Sequence, residues 1–322
     1  MSRHDRAVAC RVGFVGAGAT IREHIRAFAG VDGVEIVGIA NRTIGKAEKV
    51  ARELGVPAVF DGVDELCGRA RPDLLVMAVY ETAIRAVAEA CLEQDVALLM
   101  EKPVGLDLGE ARHLATLARR RGRRVWVGLN RRALPSTRRV LDDLADDPAP
   151  RFVHVQDQQS LELARMIGHS ADVVRNWMFT NSIHLVDYLP LLARGAATAV
   201  ENIVPWDPLA PGLVLSKVAF TSGDIGLYEA LWHAPGPWAC TVATARRRWE
   251  LRPLEHAAFQ NPGERALQQV EPAPVDSALK PGLRIQAERV VAAWRGEPSA
   301  APTIDDALAT TELVARIYAV PT

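Results

Sequence analysis

Gly16-Ala17-Gly18 closes the apolar run 11–16 and opens a segment with helical spacing that extends to about residue 29. A strand-to-helix turn without side chains lets phosphate oxygens approach the backbone amides, and the helix N-terminus adds partial positive charge. Gly16, Gly18, Ala19 and Thr20 are therefore candidate ligands for a dinucleotide pyrophosphate, with a tight turn serving only the fold as the alternative. The third glycine of the G-x-G-x-x-G pattern is replaced by Ile21, so the helix must pack on its strand by other means. Roughly 20 residues past such a turn, the end of the second strand faces the adenosine ribose. Asn41 stands there instead of an acid, followed by Arg42, Thr43 and Lys46. A carboxylate would repel a 2′-phosphate, whereas these four offer it hydrogen bonds and positive charge, so NADP is expected and NAD is the alternative. The competing reading of Asn-Arg-Thr is a helix-capping turn with Thr43 as the cap. Lys102, in Glu101-Lys102-Pro103, follows the buried apolar run 96–100 and so falls at the carboxyl end of a strand, where open α/β sheets bind ligands. A lysine before proline at a strand end is otherwise an ordinary surface residue.

The elements that must position these residues are legible as alternating periods. Apolar runs at 11–16, 34–40, 59–60, 74–79, 96–100 and 125–129 read as strands, and helical spacing fills most of the intervals, ending with 108–121. Strands apolar throughout, alternating with helices, imply a parallel sheet covered on both faces. Beyond Pro150 the texture changes: 152–158, 213–221, 225–233, 238–243 and 247–251 read as strands with short Gly/Pro turns, an antiparallel pattern. Helices are expected at 182–192, 283–294 and 305–319. The fold class is thus α/β, a Rossmann domain over 1–130 followed over 131–322 by an α/β domain with a mostly antiparallel sheet.

Composition bounds the partners. At 322 residues two cores are expected, and 49% hydrophobic with 24% charged residues is ordinary for a globular enzyme. A formal charge of -1 gives no global attraction to nucleic acid or to an anionic membrane, which leaves small molecules as the expected partners. Cys10, Cys67, Cys91 and Cys240 have neither metal nor disulfide spacing, so no metal is expected and a reducing compartment fits. Arg3, His4 and Arg6 precede an apolar run that Arg11 and several glycines interrupt, which does not read as a signal peptide. No stretch reaches about 18 apolar residues, and a cytoplasmic location is expected. The basic run Arg119-Arg120-Arg121-Gly122-Arg123-Arg124 ends a helix, where cations favour the dipole and face water, with an anion contact as the alternative.

In order and spacing, these motifs resemble the Gfo/Idh/MocA oxidoreductases, the family of glucose-fructose oxidoreductase and inositol 2-dehydrogenase. The resemblance rests on the glycine turn with His24 beyond it, Glu101-Lys102-Pro103, Gly128-Leu129-Asn130-Arg131-Arg132 with Pro135, His184-x-x-Asp187 and the closing helix from Asp305. It implies that Lys102 is the catalytic lysine and His184 the proton-transferring histidine. It implies too that Val79 and Tyr80, with Glu101 and Lys102, border the cofactor. Two departures stand out: Thr180 replaces the usual aspartate four residues before the histidine, and Val79-Tyr80-Glu81 replaces the family's Thr-Pro-Asn loop.

The implied reaction is NAD(P)-linked interconversion of a secondary alcohol and a ketone on a sugar, amino sugar, cyclitol or nucleotide sugar. A protonated Lys102 would stabilise the alkoxide and a neutral His184 would take the proton. Arg132, Thr180, Asn181, Asp187 and Trp177 are the candidate substrate contacts. Each has a plainer reading: a solvent ion pair for Arg132, an orienting or dipole-stabilising acid for Asp187, core packing for Trp177 and for His184. The Lys102-Pro103 bond is expected to be cis. The resemblance also implies a homodimer or homotetramer, joined through the open face of the second sheet. Two rival functions are a redox-assisted glycosidase or eliminase that retains NAD, and a catalytically silent NAD(P)-binding sensor.

Overall fold

The computed structural model describes residues 9–272 and 279–320, so the reading of Arg3, His4 and Arg6 lies outside the described residues. The chain forms two compact units. In the first, β1 (Cys10–Val15), β2 (Val34–Ala40), β3 (Val59–Phe60), β4 (Leu74–Met77), β5 (Ala97–Met100) and β6 (Val125–Val127) form one sheet in the order β3-β2-β1-β4-β5-β6. Every pairing is parallel. The order reverses between β1 and β4, the switch point at which a doubly wound sheet opens a crevice at its carboxyl edge. β4, β5 and β6 are buried along their whole length, as expected of parallel strands covered on both faces.

Helices α1 (Ala19–Ala29), α2 (Ile44–Leu54), α3 (Val63–Ala70), α4 (Ile84–Glu93) and α5 (Leu108–Arg121) connect the strands. α1 turns Ile21, Ile25 and Phe28 into a core shared with Phe14 of β1, Ile39 of β2 and Val76 of β4. The same core contains Leu283, Ala287, Val290 and Val291, from the helix Leu283–Trp294, which packs against α1. The division expected near residue 130 falls beside Leu129, where the long stretch of the second unit begins, although Leu106–Ala111 at the start of α5 already lies with that unit. Its continuation to 322 does not hold, because the stretch carrying this late helix and ending at Asp305 belongs to the first unit. The returning chain also covers the edge of β6, where Val127 N donates to Pro302 O at 2.9 Å.

The second unit is built on an eight-stranded sheet. β7 (Phe152–Gln159), β8 (Ala197–Val204), β9 (Leu213–Phe220), β10 (Ile225–Trp232), β11 (Ala239–Ala243), β12 (Arg248–Leu251), β13 (Ala257–Gln260) and β14 (Gln268–Gln269) run in the order β14-β13-β12-β11-β7-β10-β9-β8. Only β7 and β10 pair in parallel; all the other pairs are antiparallel. Strict alternation along β7, β9 and β10 buries one face and leaves Phe152, Leu213 and Ile225 exposed at the strand starts on the other. β8 is half-exposed throughout and carries small and polar residues, which is why it has no strong strand signal. The single helix expected over 182–192 is instead a π-helical turn, Met178–Ser182, followed by short helices Ile183–Val186 and Tyr188–Leu192.

The late helix closes the first unit's core, so Leu283→Ala should cost about 2–4 kcal/mol, the usual range for a buried leucine truncated in a packed core. A lowered urea midpoint checks this, and an unchanged midpoint would mean that the helix contributes nothing to that core.

Candidate active site

The first glycine of the turn has no freedom to be anything else. Gly16 has φ 115°, and a Cβ on it would lie 2.1 Å from Ala78 O, at the exit of β4. Gly18 is different: a Cβ there would meet nothing within 4 Å, so its surface faces open space at the head of α1. No side chain caps α1, its first turn holds no acid, and Ala19 and Thr20 are exposed. Uncapped amides and the positive end of a helix next to a glycine without a neighbour are what a pyrophosphate requires. Ile21, at the position of the third glycine, is fully buried in the core, so an apolar side chain does the packing there.

At the end of β2, Asn41 donates through Nδ2 to Thr43 O at 2.9 Å, holding the loop's shape, while Arg42, Thr43 and Lys46 are exposed. Thr43 occupies the N-cap position of α2, but its side chain makes no capping hydrogen bond, and the first turn of α2 has no acid either. A second uncapped helix start thus lies beside two cations. Past β4, Val79 is half-buried, Tyr80 is 45% exposed, and Glu81 begins a short 3-10 turn, Glu81–Ala83.

Glu101 and Lys102 leave the end of β5 on the same carboxyl edge. Glu101 N donates to Met77 O at 2.9 Å, and its Oε1 lies 2.7 Å from His24 Nε2 of α1. Burial alone would raise this carboxyl, but the His24 hydrogen bond and the charges of His24, Lys102 and Lys280 hold it below the usual range. Gly128 makes the seat possible, because a Cβ there would sit 2.6 Å from Glu101 Oε1. Lys102 is half-buried, and the Lys102-Pro103 bond is cis, as expected.

In the second unit, His184 is 5% exposed at the start of Ile183–Val186, with its ring centroid 6.2 Å from that of Trp238. Asp187 accepts a bidentate pair from Arg132, Nε to Oδ2 at 2.7 Å and Nη2 to Oδ1 at 2.6 Å, and Thr310 Oγ1 donates to Oδ1 at 2.8 Å. The two side chains are 14% and 3% exposed, so the solvent ion pair considered for Arg132 is in fact a buried one. Burial opposes the Arg132 charge, but Asp187 and then Asp306 hold its pKa above the ordinary value. Arg132 and Asp187 are brought together here chiefly as each other's partner.

Thr180 is buried in the π-helical turn and donates to Trp177 O at 3.3 Å. Trp177 and Asn181 both donate to Gln159 Oε1, each at 2.8 Å, and the Trp177 ring meets His169 edge-on at 5.0 Å. Gln159 and its neighbour Asp157 were absent from the sequence-derived candidates. The strict alternation of 152–159 puts both on the face occupied by Val153 and Val155, and a carboxylate on the buried face of a strand was the available signal. In the basic run, Arg119, Arg121 and Arg123 pair with Asp305, Glu93 and Asp95. Arg119 and Arg121 are about half exposed, in line with the water-facing reading, whereas Arg123 is mostly covered and Arg124 lies over the Trp126 ring.

A six-stranded parallel sheet with a glycine turn at its switch point and a lysine at the carboxyl end of β5, in a chain with a second, mostly antiparallel unit, defines a dinucleotide-binding oxidoreductase architecture. The model of the oxidoreductase family with NAD-binding Rossmann fold, Gfo/Idh/MocA, matches residues 10–129. Inositol 2-dehydrogenase 1 of Saccharopolyspora erythraea is 31% identical over 233 residues, 68% of this chain and 67% of the relative. The chain belongs to this family. UDP-N-acetylglucosamine 3-dehydrogenase of Acidithiobacillus ferrooxidans is 30% identical over 186 residues, 58% of this chain and 55% of the relative. In fold, a dehydrogenase from Chromobacterium violaceum superposes with a TM-score of 0.82 at 20% identity, covering 97% of this chain and 95% of that one.

Removing one member of the buried Arg132–Asp187 pair leaves the other charge uncompensated. Asp187→Ala should therefore lose about 3–5 kcal/mol of stability. Thermal unfolding measures it, and a loss below about 1 kcal/mol would mean the pair behaves like an exposed one.

Proposed function

We propose that the protein is an NADP-linked dehydrogenase that interconverts a secondary alcohol and a ketone on a sugar, amino sugar, cyclitol or nucleotide sugar. The observation that carries this reading is the placement of Lys102 directly after β5, on the carboxyl edge that also holds the Gly16–Gly18 turn. A protonated lysine there stabilises the oxygen as it becomes an alkoxide, or polarises the ketone in reverse. The His24–Glu101 contact fixes the residue before it, which narrows where the ammonium can reach. His184 takes the hydroxyl proton or returns it, acting through its imidazole nitrogen. When bound, the nicotinamide supplies or accepts the hydride, and the chain's part is to orient it. Gly16, Gly18, Ala19 and Thr20 would take the pyrophosphate, Val79, Tyr80 and Glu101 would border the nicotinamide half, and Arg132, Trp177, Thr180, Asn181 and Asp187 would form or support the substrate site.

The preference for NADP rests on the uncapped start of α2 with exposed Arg42, Thr43 and Lys46 beside it. The substrate class follows the relatives, which by name are dehydrogenases of inositol and of UDP-N-acetylglucosamine. We place the protein in the cytoplasm, a reading supported by four free thiols. Burial pushes Cys67 up to about 11 and Cys10 to about 12, so these two stay protonated and unreactive. Among the described residues no helix is long and apolar enough to cross a membrane.

Fluorescence titration with NADPH and NADH, followed by a polyol and ketosugar panel read at the nicotinamide absorbance, tests the central reading. NADPH should bind more tightly than NADH, and Arg42→Ala should weaken NADPH about tenfold, the value of one charge-assisted contact. Lys102→Met should lower kcat by about 100-fold or more and leave NADPH affinity within about threefold. Binding of neither dinucleotide would overturn the reading, and binding with the cofactor retained through purification would favour the glycosidase or eliminase.

The half-exposed face of the second sheet is also proposed to join copies of the chain into a homodimer or homotetramer. Light scattering at micromolar concentration should give a mass two or four times that of the chain, and a monomer would remove this assignment.

A further inference from the structure

The strongest unassigned feature is a buried polar network beneath the turn that leads into His184. Gln159, on the inward face of β7, has both ends of its amide committed. Its Oε1 accepts from Trp177 Nε1 and from Asn181 Nδ2, each at 2.8 Å, and its Nε2 donates to Asp157 Oδ1 at 2.5 Å. Rotating the amide by half a turn would set its NH2 against two donors and its oxygen against a carboxylate, so only one orientation is compatible with the surroundings. Asp157 is in turn fixed from two sides: Tyr228 OH of β10 donates to Oδ2 at 2.6 Å and Gln159 Nε2 to Oδ1 at 2.5 Å. Tyr228 OH also lies 2.9 Å from Tyr318 OH, and Tyr318 OH lies 3.4 Å from Ser182 Oγ. Gln159 and Asp157 are each 2% exposed.

We propose that Gln159, locked by Asp157, is the positioning residue that fixes Trp177 and Asn181 on the turn preceding His184, and thereby sets how a substrate hydroxyl meets that turn. The proposal rests on the reading of the turn as part of the substrate site. Its geometry is independent of that reading: one donor from Trp177, the residue that enters the turn, and one from Asn181 within it converge on a single acceptor atom of β7. A turn of π-helical geometry has one surplus residue and a weaker backbone ladder, so side-chain anchors decide its shape. Asn181 is half-buried, and its amide is held at one end, which leaves the other end to face a ligand in a defined direction.

The network has a titratable centre. Burial raises Asp157 to about 7, against the opposing hydrogen bonds from Tyr228 and Gln159. The other ionisable groups facing it are Tyr228 on β10 and Tyr318 beyond the helix Ile304–Ile317, and burial raises both above the ordinary phenol range. Protonated, Asp157 must turn one oxygen into a donor, and the Tyr228 hydroxyl can accept it while passing its own hydrogen to Tyr318. The hold on Gln159 therefore changes with the charge of Asp157. His169, whose ring meets Trp177, is the remaining titratable group next to that indole.

The test follows the Trp177 indole N–H in amide-type NMR spectra of the whole protein, assigned with Trp177→Phe, as pH is raised from about 5 to 9. The resonance should move with a midpoint near 7. The midpoint should persist in His169→Phe and vanish in Asp157→Asn, an isostere that keeps the packing. In Gln159→Met the indole should lose its hydrogen-bonded shift altogether. A Trp177 indole resonance that Gln159→Met leaves in place overturns the proposal, as does a pH-dependent shift that persists unchanged in Asp157→Asn, and neither result needs a substrate. With a turned-over substrate in hand, Gln159→Met should raise KM about tenfold or more while NADPH affinity stays within about twofold. Equal loss of both affinities would mark a general structural defect and also overturn it. Absence of turnover in the unaltered protein would instead count against the dehydrogenase reading, with the indole titration still deciding the positioning role.

Discussion

The first unit is organised around one backbone-on-backbone approach. At the switch point, where the strand order runs outward from β1 on one side and from β4 on the other, the Cα of Gly16 passes so close to the Ala78 carbonyl that any side chain would collide with it. Because β1 and β4 pair in parallel and in register, all the strand ends arrive at one edge, and this contact sets where the helix start of α1 can lie relative to them. Asn41, Val79 and Lys102 occupy that edge for the same reason: each is the first or second residue beyond its strand. A small shift of the turn would carry α1 with it, and with α1 His24, the partner of Glu101.

The carboxylates Glu101, Asp187 and Asp157 are of two physical kinds. Glu101 and Asp187 are carboxylates with a cationic or imidazole partner, and the partner offsets the cost of burial. Asp157 has only neutral donors, and its burial is not offset. In a low-dielectric interior the first arrangement fixes a charge state and a geometry together, whereas the second leaves the charge state to the solvent pH. The same residue type can thus act as a rigid strut in one place and as an adjustable one in another, a distinction that only the identities of the neighbours reveal.

What the sequence disclosed follows from which interactions are local. β1, α1 and β2 were legible because an apolar strand run, a glycine turn and a helical stripe lie side by side in the chain. Lys102 was legible as a candidate because its place at a strand end is itself a local fact. The Arg132–Asp187 pair spans 55 positions and the Trp177–Gln159 bond spans 18, and no period connects their members. The residues 182–192 have apolar content enough for one helix, yet the chain reaches them through a π-helical turn whose side chains are tied to β7. The stripe of Leu283, Ala287, Val290 and Val291 announced a buried helix face, but nothing local could say that the face belongs to the core of the first unit.

That late helix alters the order in which the molecule can be made. The dinucleotide-binding unit opens with β1 at Cys10, yet its core is incomplete until the helix ending at Trp294 has been synthesised. During translation, therefore, the flank of α1 that will hold Leu283 and Val290 stays uncovered while the whole second sheet emerges. The N-terminal unit cannot finish first, as domains usually do on the ribosome, and the two units must complete their folding nearly together.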